Sequence, residues 1–452
     1  MNQEKANDPI LVIFGITGDL SKRKLLPALY HLLRTGSISP ATKIIGTSRH
    51  DLTTDEVVDT FEASILAADK ECDPATIELI RNSLRTIKLD PSIDEDYQLL
   101  VSLLEKCDEG KKRDRIFYMS VPSTAFGPII QQLAKVGLND SRSKILIEKP
   151  FGYDVDSAAK LIETINTGFN EEQVYRIDHY LAKETAQNLL AFRMHNPIFK
   201  PLWNHEHIRS IHIRALESIG IEGRANFYEQ TGALRDLIQS HLMQLLSITL
   251  MDLPEDMDSK DIHQAKQVFF EGLLPATTTD ALRGQYASYK EEVSNPDSFV
   301  ETYCRIRLRH SSERWDGVEL ILETGKGMNE KTTDITIEFR TPGVRRRNNL
   351  VFRIQPNEGI SLDLIVKEPG LEDKMTHEAL DLRYDTVFRD YMHVDAYERV
   401  LMDVIRGDQS LFASAAEVMS TWKVLQPLID AWNQNGEDLK IYASGSKGPH
   451  DN

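Results

Sequence analysis

The 452-residue sequence predicts an α/β domain with a doubly wound parallel sheet, followed by an α+β domain built on a large, mostly antiparallel sheet. Three observations carry this. Early apolar runs are short, unbroken and separated by helical stretches, as in strands buried on both faces. A glycine-bearing loop, Gly15-Ile16-Thr17-Gly18-Asp19-Leu20-Ser21, links the first run to the first helix, which makes the first domain Rossmann-like. After about residue 205 the pattern changes to period-two alternation, the signature of half-buried strands.

In chain order, Ile10 to Phe14 is a continuous apolar run ending at a glycine and reads as the first buried strand. A helix follows from about Leu20 to Arg34, with Pro27 near its first turns or kinking it. Lys43 to Gly46, Arg115 to Met119 and Lys144 to Glu148 read as further strands with helices between them. Arg176-Ile177-Asp178-His179-Tyr180-Leu181-Ala182-Lys183-Glu184 is expected to be helical, with His179 and Lys183 four apart on one face. Ile211, Ile213 and Ala215 open the second series. Val300 to Arg309, Val318 to Thr324, Asp334 to Arg340, Leu350 to Gln355 and Gly359 to Lys367 continue it as strands joined by short polar turns. The expected division is residues 1–178, 179–442 and a flexible tail at 443–452.

Composition narrows the functional class. Hydrophobic content of 41% and charged content of 27% are those of a soluble globular protein. A formal charge of −17 repels polyanions, so neither nucleic acid nor an anionic membrane is an expected partner. Any phosphate ligand must meet a local basic pocket. Cys72, Cys107 and Cys304 are too scattered for a disulfide framework or a metal ligand set. With a polar start and no long apolar stretch, the expected compartment is the cytoplasm.

Several residue groups bear chemistry. Gly15 and Gly18 let backbone approach a pyrophosphate at a helix N-terminus, though a tight strand-to-helix turn also wants glycine, and Ser21 stands where a third glycine is usual. After the second strand, Thr47-Ser48-Arg49-His50 offers hydroxyls and a guanidinium in place of a carboxylate. That favours a 2′-phosphate and hence NADP, unless Arg49 is simply solvated. Lys149, in Glu148-Lys149-Pro150-Phe151-Gly152, is expected at a strand's carboxyl end facing the crevice, or else is an exposed turn lysine. His179 and Lys183 suit a phosphate dianion. His241, among Leu234, Leu237, Ile238, Leu245 and Ile248, is either a hydrogen-bonded core histidine or a base. Asp178 is a carboxylate available to orient and stabilise such an imidazole.

These motifs together make the sequence resemble the glucose-6-phosphate dehydrogenases over nearly its whole length. The matching segments are residues 15–20, Arg49, 148–152, 176–184, Arg-Asp-x-x-Gln-x-His at 235–241, Gly-Lys-x-x-Asn-Glu-Lys at 325–331, Gln-Pro-Asn-Glu at 355–358 and Asp-Ala-Tyr-Glu-Arg at 395–399. The 176–184 run is the most specific.

The resemblance implies oxidation of glucose 6-phosphate at C1 to 6-phosphogluconolactone with NADP. It implies His241 as general base and Asp178 as its partner. It puts His179, Tyr180 and Lys183 on the substrate phosphate, and Glu217, Asp236, Lys326, Lys331 and Gln355 near the sugar or phosphate. Lys149 would lie between substrate and nicotinamide, with Lys24 near the same crevice. Gly15, Thr17, Gly18, Asp19, Leu20 and Arg49 would bind the cofactor. The second domain would build a dimer, or a dimer of dimers, through its sheet. Ala182 replaces the usual glycine of the signature, and Asp363 and Thr332 stand where lysines of a second, structural cofactor site are expected, so no such site is anticipated. No metal is expected, since the nicotinamide is the electron sink. A non-catalytic phosphosugar-binding paralogue, an epimerase and a broader hexose-6-phosphate oxidase are the competing readings. Tyr180 and Lys183, three apart, do not make the Tyr-x-x-x-Lys pair that an epimerase would want.

Overall fold

The computed structural model describes residues 8–69, 71–341, 347–388, 394–434 and 436–449. The first sheet holds β1 (Ile10–Phe14), β2 (Lys43–Ser48), β3 (Leu84–Lys88), β4 (Arg115–Met119), β5 (Ser143–Ile147) and β6 (Val174–Ile177), all parallel, in the order β3-β2-β1-β4-β5-β6. This is the doubly wound order, and its crevice opens at the carboxyl ends of β1 and β4. β1 and β4 are buried at every position, so continuous apolar sequence is what two helix-covered faces require.

The second sheet is larger. It contains β7 (Ile208–Leu216), β8 (Ala281–Tyr286), β9 (Tyr303–Leu308), β10 (Glu319–Gly325), β11 (Thr332–Phe339), β12 (Asn349–Gln355), β13 (Gly359–Lys367) and β14 (Met375–Arg383). Two short strands come last, β15 (Phe412–Ala413) and β16 (Lys440–Tyr442), and β16 joins this sheet. The order is β14-β13-β12-β11-β7-β10-β9-β8-β16, antiparallel except where β7 meets β10 and β8 meets β16. The alternation in β7 is literal: Ile211, Ile213 and Ala215 are buried, while His212 and Arg214 on the opposite face are half-exposed.

Four expectations are corrected. Residues 176–184 are not helical. Arg176 and Ile177 end β6, residues 178–183 form successive turns, and the helix begins only at Glu184 and runs to His195. The Asp178 side chain explains the break, since its Oδ1 accepts the Tyr180 N–H at 2.9 Å and offers the backbone a local alternative to a helix. β6 itself is hidden in the sequence because Arg176 interrupts its apolar run; the guanidinium is buried against Glu171 at 2.6 Å. Second, the chain does not leave the first sheet for good at residue 178. β15 pairs antiparallel with β6, and the helix Ala396–Arg406 sends Val400, Leu401 and Val404 into the same core as β1 and β2. Third, β3, β8 and β14 are additional strands. β14 is exposed nearly throughout, and β8 buries Arg283 against Asp438, so neither shows plain apolar alternation. Fourth, the expected frayed tail is anchored as far as the structure describes it: Gly445 N–H donates to Gly327 O at 2.7 Å and Asn329 N–H to Ser446 O at 2.8 Å. His450 to Asn452 lie outside the described residues.

Candidate active site

The glycine loop turns sharply off β1. Gly15 has φ +80°, and a Cβ there would stand 2.5 Å from the Ser120 carbonyl oxygen, so this position admits glycine for both conformation and space. Ser21, the departure from a third glycine, is fully buried. Its hydroxyl donates to Gly15 O at 3.1 Å and lies 2.9 Å from Ser120 Oγ, tying the loop to the end of β4. A groove of about 600 Å³ follows, lined by Gly15, Thr17, Gly18, Ser48 and Arg49 among others. Bare backbone at a helix start, hydroxyls and a guanidinium fit a dinucleotide. Asp19 and Leu20 line a different cavity, because the helix begins at Asp19 and rotates each successive side chain by about 100°.

That second cavity has a volume of about 850 Å³. His179, Tyr180, Lys183, Glu217, Lys331 and Gln355 all line it, together with Lys24. Lys183 donates to Gln355 Oε1, and its ammonium lies 5.0 Å from the Tyr180 ring centroid. Burial lowers the Lys183 pKa to about 8, with Glu358 opposing and Lys331 adding to the fall. Cations crowded this way are stabilised by a bound dianion. Lys326 is buried and paired with Glu217 just behind the wall, over the Tyr228 ring at 5.4 Å. Glu358, Asp395 and Tyr397 also line the cavity. They lie in quoted motifs but had been given no role.

Behind His179 and Tyr180 stands His241. Its Nδ1 is 2.7 Å from Asp178 Oδ1, and each side chain is 2% exposed. The imidazole stacks on Tyr180 at 4.3 Å between centroids and meets the His179 ring edge-on at 4.5 Å. The helix Leu234–Leu242 winds wide, with the next N–H, that of Met243, bonding back five residues to Ile238 O. Such a widened turn re-aims side chains and is frequent at functional sites. Burial lowers the His241 pKa despite Asp178, which raises it; the nearby Lys149 cation adds to the fall. Here desolvation of an imidazolium outweighs one carboxylate. Burial acts upward on Asp178, but the facing His241 outweighs it and holds the carboxyl well below its usual range. The pair is therefore an ionised carboxylate and a neutral imidazole. With Nδ1 hydrogen-bonded to Asp178, Nε2 is the ring nitrogen left to exchange a proton.

Lys149 stands two residues beyond β5 and is joined by a cis bond to Pro150. Its ammonium donates to Asp236 O at 2.6 Å and Ser240 Oγ at 3.0 Å, with Asp236 Oδ1 at 3.9 Å. The wide-turned helix thus presents the base on one side and receives Lys149 on the other. Lys149, Asp236, Lys326 and His241 do not line either cavity directly; they form the layer behind the second one.

Comparison with known proteins matches two regions of the chain. Residues 12–188 match the family model for the glucose-6-phosphate dehydrogenase NAD binding domain, and residues 190–452 match that for the C-terminal domain. Glucose-6-phosphate 1-dehydrogenase of Rhizobium meliloti (strain 1021) is 37% identical over 466 residues, covering 97% of this chain and 94% of that protein. The Arabidopsis thaliana protein named glucose-6-phosphate 1-dehydrogenase 5, cytoplasmic, is 35% identical over 461 residues, covering 97% and 89%. A solved glucose-6-phosphate dehydrogenase in complex with glucose 6-phosphate superposes with a TM-score of 0.93 at 33% identity, covering 99% of this chain and 97% of that one. With two matched domain models, full-length relatives and a buried carboxylate–imidazole pair at the joint between the sheets, this chain belongs to the glucose-6-phosphate dehydrogenase family.

Proposed function

We propose that this chain oxidises glucose 6-phosphate at C1 to 6-phosphogluconolactone with NADP. The observation that carries the reading is the Asp178–His241 pair set behind a cavity whose wall holds Lys183, Lys331 and His179. His179, Tyr180, Lys183 and Lys331 hold the phosphate end. Glu217, Gln355, Lys326 and Asp236 fix the sugar from the wall and the layer behind it. His241 Nε2 takes the C1 hydroxyl proton, and Asp178 stabilises the imidazolium that forms. Bound oxidised nicotinamide supplies the acceptor for the C1 hydride. Phosphate binding, remote from C1, orients the sugar for reaction.

Arg49, Ser48 and Thr47, with no carboxylate at that strand end, support NADP over NAD. The functional division at 178/179 separates cofactor binding from substrate binding and dimerisation. The homodimer, or dimer of dimers, forms through the second sheet, where Met375, Leu380 and Leu382 of β14 and Val366 of β13 are exposed. The compartment is the cytoplasm; no described helix is long and apolar enough to cross a membrane. The test is to follow reduced cofactor with glucose 6-phosphate and NADP or NAD, alongside glucose and galactose 6-phosphate. Rapid reduction only with glucose 6-phosphate and NADP is expected, and none with glucose 6-phosphate would overturn the reading.

A further inference from the structure

Ser240 is neither the base nor a ligand of the cavity, yet it touches the lysine beside the base. It precedes His241 and follows Asp236 by four residues on the wide-turned helix Leu234–Leu242. Its buried Oγ accepts the Lys149 ammonium at 3.0 Å and donates to Asp236 O at 3.5 Å. Lys149 donates to that same carbonyl at 2.6 Å. A hydroxyl both gives and receives a hydrogen bond, so these three groups close a small ring. Among the described residues, the Ser240 side chain makes no other hydrogen bond. The helix that carries the base therefore grips Lys149 at two points, and one of them is a single hydroxyl.

A lysine ammonium rides on a flexible four-carbon stem. The charges facing Lys149 are Asp236, Asp178, Glu148 and Lys326. Of these, Asp178 has an oxygen, Oδ2, that is buried with no hydrogen-bond partner among the described residues. A charge-assisted bond from an ammonium is the strongest partner such an oxygen can take. The same molecule displays that outcome at Glu417, where Lys266 lies 2.7 Å from one oxygen and His263 2.6 Å from the other. We propose that Ser240 is a positioning residue: together with Asp236 O it anchors the Lys149 ammonium on the wide turn, off the Asp178 carboxylate, and so leaves that carboxylate to the His241 imidazole.

The inference rests on the glucose 6-phosphate reading. The groups facing His241 are Asp178, Lys149 and Asp236, with the His179 and Tyr180 rings packed against it. Asp178 raises the imidazole's pKa and Lys149 lowers it, so an ammonium released onto Asp178 makes His241 a weaker base. The test is kcat at saturating glucose 6-phosphate and NADP, followed from pH 4.5 to 9. Ser240→Ala, a change that suits a helix, should lower kcat about three- to tenfold, the worth of one hydrogen bond. Its acid limb should move to lower pH. KM should change less, because Lys183 and its neighbours are untouched. In a Lys149→Met background the same change should add less than about twofold, since the hydroxyl acts through the ammonium. An acid limb left in place, even with kcat lowered at every pH, or an equal loss with and without Lys149, overturns the proposal. Where K149M turns over too slowly to measure, the acid limb decides. If S240A does not fold, Ser240→Cys, close in volume and a much weaker acceptor, carries the same expectation. A wild type inactive on glucose 6-phosphate would instead sink the functional reading, which separates the two failures.

Discussion

Two of the carboxylate–histidine pairs among the described residues have opposite surroundings. Asp178 holds His241 at 2.7 Å, and Glu417 holds His263 at 2.6 Å. At Glu417 the second oxygen is taken by Lys266 at 2.7 Å and by the Gln244 amide at 3.0 Å. Burial pushes the Glu417 carboxyl up, yet the Lys266 ammonium outweighs it and brings the pKa to about 2. The carboxylate is neutralised by a fixed cation, the Lys266 ammonium. At Asp178 the second oxygen is buried with no hydrogen-bond partner among the described residues. The neighbouring cation, Lys149, is turned away to Asp236 O and Ser240. The carboxylate's one side-chain hydrogen bond among the described residues is to the His241 imidazole. A carboxylate–imidazole contact alone does not identify a catalytic pair; the third partner decides.

Four substitutions test the difference between the two pairs. His241→Asn should lower kcat by about 10³–10⁴-fold, since it removes the proton acceptor. Steady-state turnover at saturating substrate reads this directly, and near-normal kcat would dissolve the contrast between the pairs. Asp178→Asn should cost about 10²–10³-fold, because the imidazole remains but loses its orienting anion. Asp178 also raises the pKa that burial lowers. The acid limb of kcat should therefore lie below the ordinary histidine value in the wild type and move further to acid in this variant; a shift to higher pH would contradict the sign. Lys183→Ala should raise KM for glucose 6-phosphate by about 10–100-fold with a smaller change in kcat, as expected for loss of a charge-assisted hydrogen bond. An unchanged KM would remove Lys183 from the phosphate site. His263→Ala should change turnover by less than about twofold and lower stability by about 1 kcal/mol, because Glu417 keeps Lys266. A large loss of activity there would mean the second pair also does chemistry.

The parallel strands were legible because burial on both faces demands unbroken apolar sequence. β1 and β4 lie at the positions read from Ile10–Phe14 and Arg115–Met119. β6 and β8 were not, because each carries a buried arginine whose partner, Glu171 or Asp438, lies outside the strand. The site residues were readable as residue types, but their arrangement was not. The helical reading of 176–184 put His179 and Lys183 on one face. In the turn that forms instead, Asp178 bonds its own backbone and the imidazole together. The direction of the His241 shift depends on how deeply the ring is buried under Tyr180 and His179, and no local spacing encodes that.

The pairing of β15 with β6 has a consequence for how the protein is made. Phe412 and Ala413 close the outer edge of the cofactor-binding sheet at Ile177 and Arg176, immediately before Asp178. A ribosome that has finished the first two hundred residues has therefore not yet supplied the last strand of that sheet or the Ala396–Arg406 helix that completes its core. The early half must wait, open at one edge, until nearly all of the later half has emerged. The strand end that leads into Asp178 is sealed among the last steps, so a polypeptide broken off before residue 412 leaves the ribosome with that edge of the sheet open.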